Sequence, residues 1–471
     1  MSGRGLIIAA PASGSGKTLV TAGLLRHLRR LGRRVAAAKA GPDFIDPTFH
    51  ALASGMPCVN LDPWAMRLAT LAALVAGLES SAELVLCEGL MGLFDGTGAD
   101  GEAGSTAELA RITGWPVVLV VDARGQGASA AALLRGFVSH QPGLAVAGVI
   151  FNNVAGERHR ALLTSAAIRH LPDLAIFGVL PADPALALRS RHLGLVPAAE
   201  SAAAAVIDRA AAAVGAAIDV ERLLAAARSA SLAPGDDAAV PIPPLGQRIA
   251  VARDDAFGFA YPTVLDGWRR AGAELLFFSS LAGEVPDSAA DAVYLPGGYP
   301  ELWPGRLAAA SGFLGGLRAA AAGGKPVYGE CGGYMVLGEA LTDGEGRRHA
   351  MAGLLPLETS FAERRLQLGY RSTTLLADTP LGRVGSRFRG HEFHYATVVR
   401  EAGAATLWTA TDSTGADLGC CGLRRGSVFG SFIHLIDAAA PAIGYGELAG
   451  LHLADDLTIP DDVIDEFENR D

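Results

Sequence analysis

Cysteine is scarce in this chain of 471 residues: Cys58, Cys87, Cys331, Cys420 and Cys421 make five, an odd number with no Cys-x-x-Cys spacing. That excludes a disulfide scaffold and a cysteine-based zinc site, and it suits a reducing cytoplasm. Positive charge is also short, with 39 Lys and Arg against 49 Asp and Glu and a formal net charge of −10. A nucleic-acid partner is not expected, because such binding needs a basic face. No apolar run approaches the roughly 18–20 residues of a membrane helix, although 50% of the residues are hydrophobic and the mean hydropathy is +0.30. A soluble protein follows, in which any anionic small substrate must meet local cationic pockets. The start, Met1 to Pro11, has the charge and apolar stretch of a short leader, but it runs directly into a glycine-rich loop and reads as a first buried strand.

The length is too great for one core and sufficient for two large domains. In the first half a short apolar run, Gly5 to Ala9, is followed by a glycine-rich turn and a helix-period stretch, Leu19 to Leu31. The pattern repeats with strand candidates Val35 to Ala40, Leu84 to Cys87, Val117 to Val121, Val146 to Phe151 and Ile176 to Leu180. These runs lack polar alternation, so the sequence predicts a parallel, doubly wound sheet covered on both faces. An alanine-rich helical stretch, Ala198 to Leu232, gives way to Pro234-Gly235-Asp236-Asp237 and to Pro241, Pro243 and Pro244, a linker signature. A second α/β set opens at Arg248 to Ala252 and contains Leu275 to Phe278, Ala292 to Leu295, Val327 to Gly329 and Val428 to Phe432. The predicted division is residues 1–232, a linker over 233–246, and residues 247–471. There is no internal repeat.

Two chemistries stand out. Ser13-Gly14-Ser15-Gly16-Lys17-Thr18 lies between a strand and a helix. In such loops backbone amides and a helix N-terminus face a phosphate, a lysine neutralises charge and a hydroxyl holds magnesium. Lys17 and Thr18 fill those last two roles. The pattern normally starts with glycine, and here that position is Pro11. Asp43, in Lys39-Ala40-Gly41-Pro42-Asp43-Phe44-Ile45-Asp46-Pro47, and Glu88 before Gly89 follow strands, where ligands of such sheets sit. Both are candidate magnesium or nucleotide carboxylates, the alternative being helix or turn capping. Asp46 is balanced between a site role and a turn before Pro47, and Asp122 is a further candidate nucleotide-site acid.

The second chemistry is Gly329-Glu330-Cys331-Gly332-Gly333, a strand, a sharp turn and a helix-like Tyr334 to Gly338. Glycines around a strained turn present a nucleophile, and a helix N-terminus with a neighbouring imidazole lowers a thiol's pKa. His434, in Gly430-Ser431-Phe432-Ile433-His434 at a strand end, is the candidate base. His391 and His394 compete for that role but read better as structural or substrate-side groups. Backbone donors for an oxyanion are available at Gly332 and in Pro296-Gly297-Gly298-Tyr299, with Gly298 the candidate. ATP chemistry and a thioester-forming cysteine in one chain point to amidation, in which glutamine supplies ammonia and ATP activates the accepting carboxylate.

At these residues the chain resembles the cobyrinic or hydrogenobyrinic acid a,c-diamide synthase family over nearly its full length. The carrying stretches are Ser13 to Thr18, Lys39 to Pro47, Glu88 to Gly96, Gly148 to Asn152, Arg191-His192-Leu193-Gly194-Leu195, Leu295 to Glu301, Gly329 to Tyr334 and Gly390 to Tyr395. The resemblance implies an N-terminal, dethiobiotin-synthetase-like P-loop domain and a C-terminal class I glutamine amidotransferase domain. It implies an ATP, phosphate and magnesium site built from Gly14, Ser15, Gly16, Lys17, Thr18, Asp43 and Glu88. Lys39 becomes a phosphate or acyl-phosphate contact, Asn152 an adenine contact, and Asp46 a neighbour of the substrate carboxylate. Cys331 becomes the glutaminase nucleophile and His434 its base. Related glutaminases often place x-Glu after that histidine; here Leu435 and Ile436 follow and Asp437 falls one place late, so no third triad member is assigned. The implied substrate is a corrinoid, amidated at its c and a positions. Ala10 to Gly14 and Asn60 to Met66 favour the metal-free hydrogenobyrinate. Mg²⁺ is the implied cofactor, ATP and L-glutamine the co-substrates, and a cytoplasmic homodimer the expected setting. Cobyric acid synthase-type and nickel-sirohydrochlorin amidoligases are rivals of the same chemistry; a partitioning-type NTPase switch with an inert amidotransferase domain is the rival of another class.

Overall fold

A seven-stranded sheet organises the first half of the chain. In a computed structural model, which describes residues 3–186, 197–232 and 240–439, its strands are β1 (Arg4–Ala9), β2 (Val35–Ala40), β3 (Cys58–Leu61), β4 (Leu84–Glu88), β5 (Val117–Asp122), β6 (Val146–Val154) and β7 (Ala175–Pro181). They lie in the order β3-β2-β4-β1-β5-β6-β7, all parallel. Six of the seven occupy runs expected from the sequence. The unforeseen one is β3, a four-residue strand whose Cys58-Val59-Asn60-Leu61 carries a polar residue in its middle. β1 is fully buried beyond Arg4 and pairs on both sides, which confirms the reading of the chain's start as a core strand. Helices α1 (Lys17–Arg30), α2 (Asp46–Ser54) and α3 (Leu68–Ser81) follow β1, β2 and β3. The alanine-rich stretch forms two helices, Pro197–Ala217 and Val220–Ala226, rather than one.

The second half has a ten-stranded mixed sheet. Its parallel part, β8 (Arg248–Ala252), β9 (Glu274–Phe278), β10 (Ala292–Leu295) and β11 (Val327–Glu330), continues through strand Val428–Ser431. From there the sheet extends through five antiparallel strands, Asp417–Arg425, Ala405–Thr411, Gln367–Leu375, Arg387–His394 and Ile433–Ala438. A small four-stranded sheet of Ala340–Thr342, Arg348–Ala350, Leu357–Ser360 and Thr397–Glu401 packs beside it. The antiparallel extension goes beyond the second α/β set that the sequence predicts.

The two halves belong to one compact unit, Met1–Ala439. They meet through polar contacts of large sequence separation. The Tyr261 hydroxyl donates to the Pro42 carbonyl at 3.0 Å, and the Tyr370 hydroxyl donates to Asp62 at 2.9 Å. Arg67 donates to Asp437 through its backbone amide at 2.8 Å and its guanidinium at 2.7 and 3.0 Å. Residues 233–239 of the expected linker, the stretch Arg191 to Leu195 and residues 440–471 lie outside the described residues. No helix among the described residues is long and apolar enough to cross a membrane.

Candidate functional site

Parallel strands end together, and their carboxyl edge collects the N-terminal candidates. The loop after β1 enters α1 through Gly16, whose φ of 92° is the left-handed conformation that glycine adopts freely. A side chain there would also stand 2.3 Å from the Asn152 amide nitrogen. Asn152, in β6, donates to the Ser15 carbonyl at 3.0 Å, so in this structure it braces the loop. Lys17 is buried and donates to the Met91 carbonyl at 2.6 Å; its burial lowers its pKa, against the neighbouring Glu88 charge.

Lys39 and Glu88 are register partners on adjacent strands β2 and β4. Both are essentially inaccessible. Glu88 is the hub: it accepts from the Thr18 hydroxyl at 2.7 Å and contacts His50 Nε2 at 2.5 Å, with Lys39 Nζ 3.9 Å away. Burial opposes its charge, but the Lys39 ammonium and His50 outweigh it and hold the pKa at about 2. The carboxylates around it raise the Lys39 pKa despite full burial. Asp46 begins α2 and lies 3.4 Å from Lys39. Its burial, with Glu88 and Asp43 nearby, pushes its pKa up to about 8, against the neighbouring Lys39 charge. Asp43 Oδ1 caps the same turn, accepting from Ile45 N at 2.7 Å and Asp46 N at 3.3 Å. Among the described residues no three His, Cys, Asp or Glu side chains form a metal cage. Magnesium bound with nucleotide phosphates needs only one or two protein oxygens, and the adjacent Thr18 hydroxyl and Glu88 carboxylate are a fitting pair. Asp122 is engaged elsewhere, by Arg124 at 2.5 Å and Asn153 at 3.1 Å.

The sequence signals foresaw this cluster except for His50, a lone histidine within α2. A further signal was available: the chain has only three lysines, Lys17, Lys39 and Lys325. Two of the three converge here.

Cys331 has φ 47° and ψ −105°, one of three non-glycine residues with positive φ among the described residues. A strained turn of this kind, between β11 and helix Gly332–Leu337, presents a nucleophile. Its amide donates to the Ser431 carbonyl at 2.8 Å, and its sulfur lies 3.6 Å from the Phe393 carbonyl. Burial, then the Glu301 charge, pushes the thiol pKa up, while the Gly332 amide opposes them. The direction is opposite to the depressed thiol pKa expected from the sequence, because desolvation outweighs the helix N-terminus. The two oxyanion candidates do come together: a Cβ on Gly332 would stand 3.0 Å from Gly298 N.

His434 sits second in strand Ile433–Ala438 rather than at the end of the preceding strand. The chain turns between Ser431 and Ile433 and continues in antiparallel pairing, with His434 opposite His391. The ring is buried, and Nδ1 has no partner among the described residues. Burial, helped by His391 and His394, lowers its pKa to about 3. Asp437, three residues on and beyond a bulge in the same strand, is committed to Arg67 and to Thr70 Oγ1 at 2.7 Å. His394 stacks on Phe432 at 4.0 Å and contacts Glu392 at 3.0 Å; His391 lies against Tyr370.

A cavity of about 590 Å³ opens between the two groups of residues, lined among others by Asp43, Phe259, Tyr370, Arg371 and His391. Arg371 also pairs with Glu392 at 2.7 Å.

Residues 6–196 match the model of the CobQ/CobB/MinD/ParA nucleotide binding domain, and residues 248–441 that of the CobB/CobQ-like glutamine amidotransferase domain. A protein from Sinorhizobium sp. named hydrogenobyrinate a,c-diamide synthase is 52% identical over 93% of this chain and 100% of its own length. This chain belongs to the hydrogenobyrinate a,c-diamide synthase family. Relatives of the same name from Rhizobium meliloti and Rhodobacter capsulatus are each 53% identical, over 92% of this chain and 99% and 98% of their own lengths. The family resemblance read from the motifs, and the pairing of a P-loop fold with an amidotransferase fold, are thus correct.

Proposed function

We propose that this chain is an ATP- and glutamine-dependent amidating ligase that converts the a and c carboxylates of hydrogenobyrinate to amides. The observation that carries the reading is the coexistence, in one unit, of the Lys17–Thr18–Lys39–Glu88 cluster and the Cys331 turn, in a chain so similar to enzymes of that name.

In this reading residues 1–232 form the phosphate-activating part and residues 247–471 the glutaminase, joined across 233–246. The Gly14–Gly16 backbone and Lys17 hold the ATP phosphates. Thr18 and Glu88, with Asp43 close by, hold Mg²⁺, which when bound neutralises phosphate charge. Lys39, buried among carboxylates, stays cationic and faces the phosphoryl group or the acyl phosphate made from it. Asp46 stands beside the accepting carboxylate, with Lys39 3.4 Å away to offset its charge. Asn152 holds the loop and lies near the adenine.

In the other part His434 takes the Cys331 proton as sulfur attacks the glutamine amide carbonyl. The Gly298 and Gly332 amides stabilise the oxyanion, ammonia leaves, and water hydrolyses the thioester. Ammonia then attacks the acyl phosphate and displaces phosphate. Free ammonia is mostly protonated in neutral water, so two sites in one unit serve to keep it nucleophilic. The 590 Å³ cavity is of the size that holds small ligands, and Arg371 offers a cation to a polycarboxylate corrinoid there. The setting we propose is the cytoplasm.

The test is nitrogen-source dependence. Cys331→Ala should lose amidation with glutamine and keep it with ammonium. Retained glutamine-supported activity would overturn the glutaminase assignment.

A further inference from the structure

Among the described residues the His434 ring lacks the carboxylate that a base in a catalytic triad usually leans on: Nδ1 is buried without a partner there, and Asp437 is bound to Arg67. What touches the ring is packing. On one side is Gly297, where even a methyl group would stand 2.1 Å from the histidine Cε1. On another is Phe44, whose ring centroid lies 4.9 Å from that of His434 at an interplanar angle of 50°.

Phe44 does not come from the glutaminase half. It sits between Asp43 and Asp46 on the loop that joins β2 to α2, and Lys39 and Asp46 of that segment belong to the phosphate cluster. The ring is clamped from the glutaminase side, stacked on Tyr261 at 4.2 Å and 28° and on Phe259 at 5.1 Å and 12°. Two backbone links fix those partners. The Tyr261 hydroxyl bonds the Pro42 carbonyl at 3.0 Å, two residues before Phe44, and the Phe259 amide bonds the Gly297 carbonyl at 2.9 Å. One continuous stack therefore runs from the phosphate-side loop to both surfaces that confine the histidine.

From this geometry we infer that Phe44 is a positioning residue for His434, taking by apolar packing the orienting role that a triad acid takes by hydrogen bonding. The inference rests on the glutaminase reading above. Its consequence is that the loop carrying Asp43 and Asp46 sets the glutaminase geometry, so a shift of that loop on ATP or acid binding is felt at the ring without any further connection.

The experiment is glutamine hydrolysis by the full chain, without corrinoid, for wild type, Phe44→Ala and Phe44→Tyr, with kcat and KM determined separately. A base freed to rotate loses near-attack geometry, and a misplacement of about 1 Å costs up to roughly 10²-fold. Phe44→Ala should lower kcat by roughly 10- to 100-fold while KM for glutamine moves by less than about threefold. Phe44→Tyr, which keeps the aromatic face, should restore most of kcat. Wild-type kcat in Phe44→Ala would overturn the inference, as would an equal loss in the Ala and Tyr variants. The outcomes also separate this inference from the functional reading. Wild type that hydrolyses glutamine but amidates nothing defeats the function and leaves the Phe44 effect measurable; wild type that amidates while Phe44→Ala hydrolyses normally defeats only the inference.

Discussion

Asp437→Asn distinguishes a structural carboxylate from a catalytic one. Asp437 is fully buried, and its oxygens take the Arg67 amide, the Arg67 Nε and Nη2 atoms and the Thr70 hydroxyl. The amide keeps the shape but removes the charge and turns an NH₂ group toward donors. Breaking one side of a buried ion pair costs about 3–5 kcal/mol. The Arg67 side chain is 25% exposed and can turn to water, which places the expectation at the lower end, about 3 kcal/mol. Unfolding entropy of about 2.1 cal/mol/K per residue makes the shift roughly 1 °C per kcal/mol for a compact unit spanning Met1–Ala439, so the unfolding midpoint should fall by about 3 °C in a calorimetric scan. Replacing both partners, in Arg67→Met with Asp437→Leu, should recover much of that loss, since an apolar pair of similar volume avoids the desolvation of two charges. Well below either midpoint, glutamine hydrolysis by Asp437→Asn should stay within about threefold of wild type, whereas the amide variant of a triad acid loses about 10⁴-fold. An unchanged midpoint with a loss of that size would refute the reasoning and make Asp437 the missing orienting acid.

Three other outcomes follow from single sites. Lys17→Ala should abolish amidation with glutamine and with ammonium alike, because the phosphate site serves both; activity surviving with ammonium would count against that site. Gly16→Ala forces a left-handed residue against Asn152, at about 1–2 kcal/mol for the backbone alone, and should weaken nucleotide binding in a titration while glutamine hydrolysis persists. Glu330, beneath Cys331, accepts from the Tyr294 and Tyr328 hydroxyls at 2.7 and 2.8 Å, yet burial raises its pKa from 4.5 to about 7. The folded state then holds a proton that the unfolded state releases between those values, so stability falls as pH rises from 4.5 through 7, by at most about 3.4 kcal/mol at 1.36 kcal/mol per pKa unit. Glu330→Gln should flatten the midpoint-versus-pH curve over that window; parallel curves would contradict the account.

The parallel strands were legible because a strand covered on both faces must be apolar throughout, and Leu84 to Cys87 or Val117 to Val121 read as nothing else. β3 escaped because Asn60 uses its side chain inward, donating to the Gly41 and Asp43 carbonyls at 2.9 and 2.8 Å. The strands Gln367–Leu375 and Arg387–His394 escaped because Arg371, Glu392, His391 and His394 break any apolar alternation. Arg371 and His391 line the cavity between the halves, so there a candidate site masks the strand signal. The phosphate loop and the Cys331 turn were legible because each is contiguous in sequence. Contacts such as Phe44 with His434, or Arg67 with Asp437, join positions hundreds of residues apart and exist only once the fold brings them together.

The most direct measurement is the mass of the product formed by the purified chain with ATP, Mg²⁺ and glutamine, given hydrogenobyrinate and cobyrinate in parallel. The account expects hydrogenobyrinate to become a diamide and to stop there. ATP hydrolysis with neither acid amidated would contradict it.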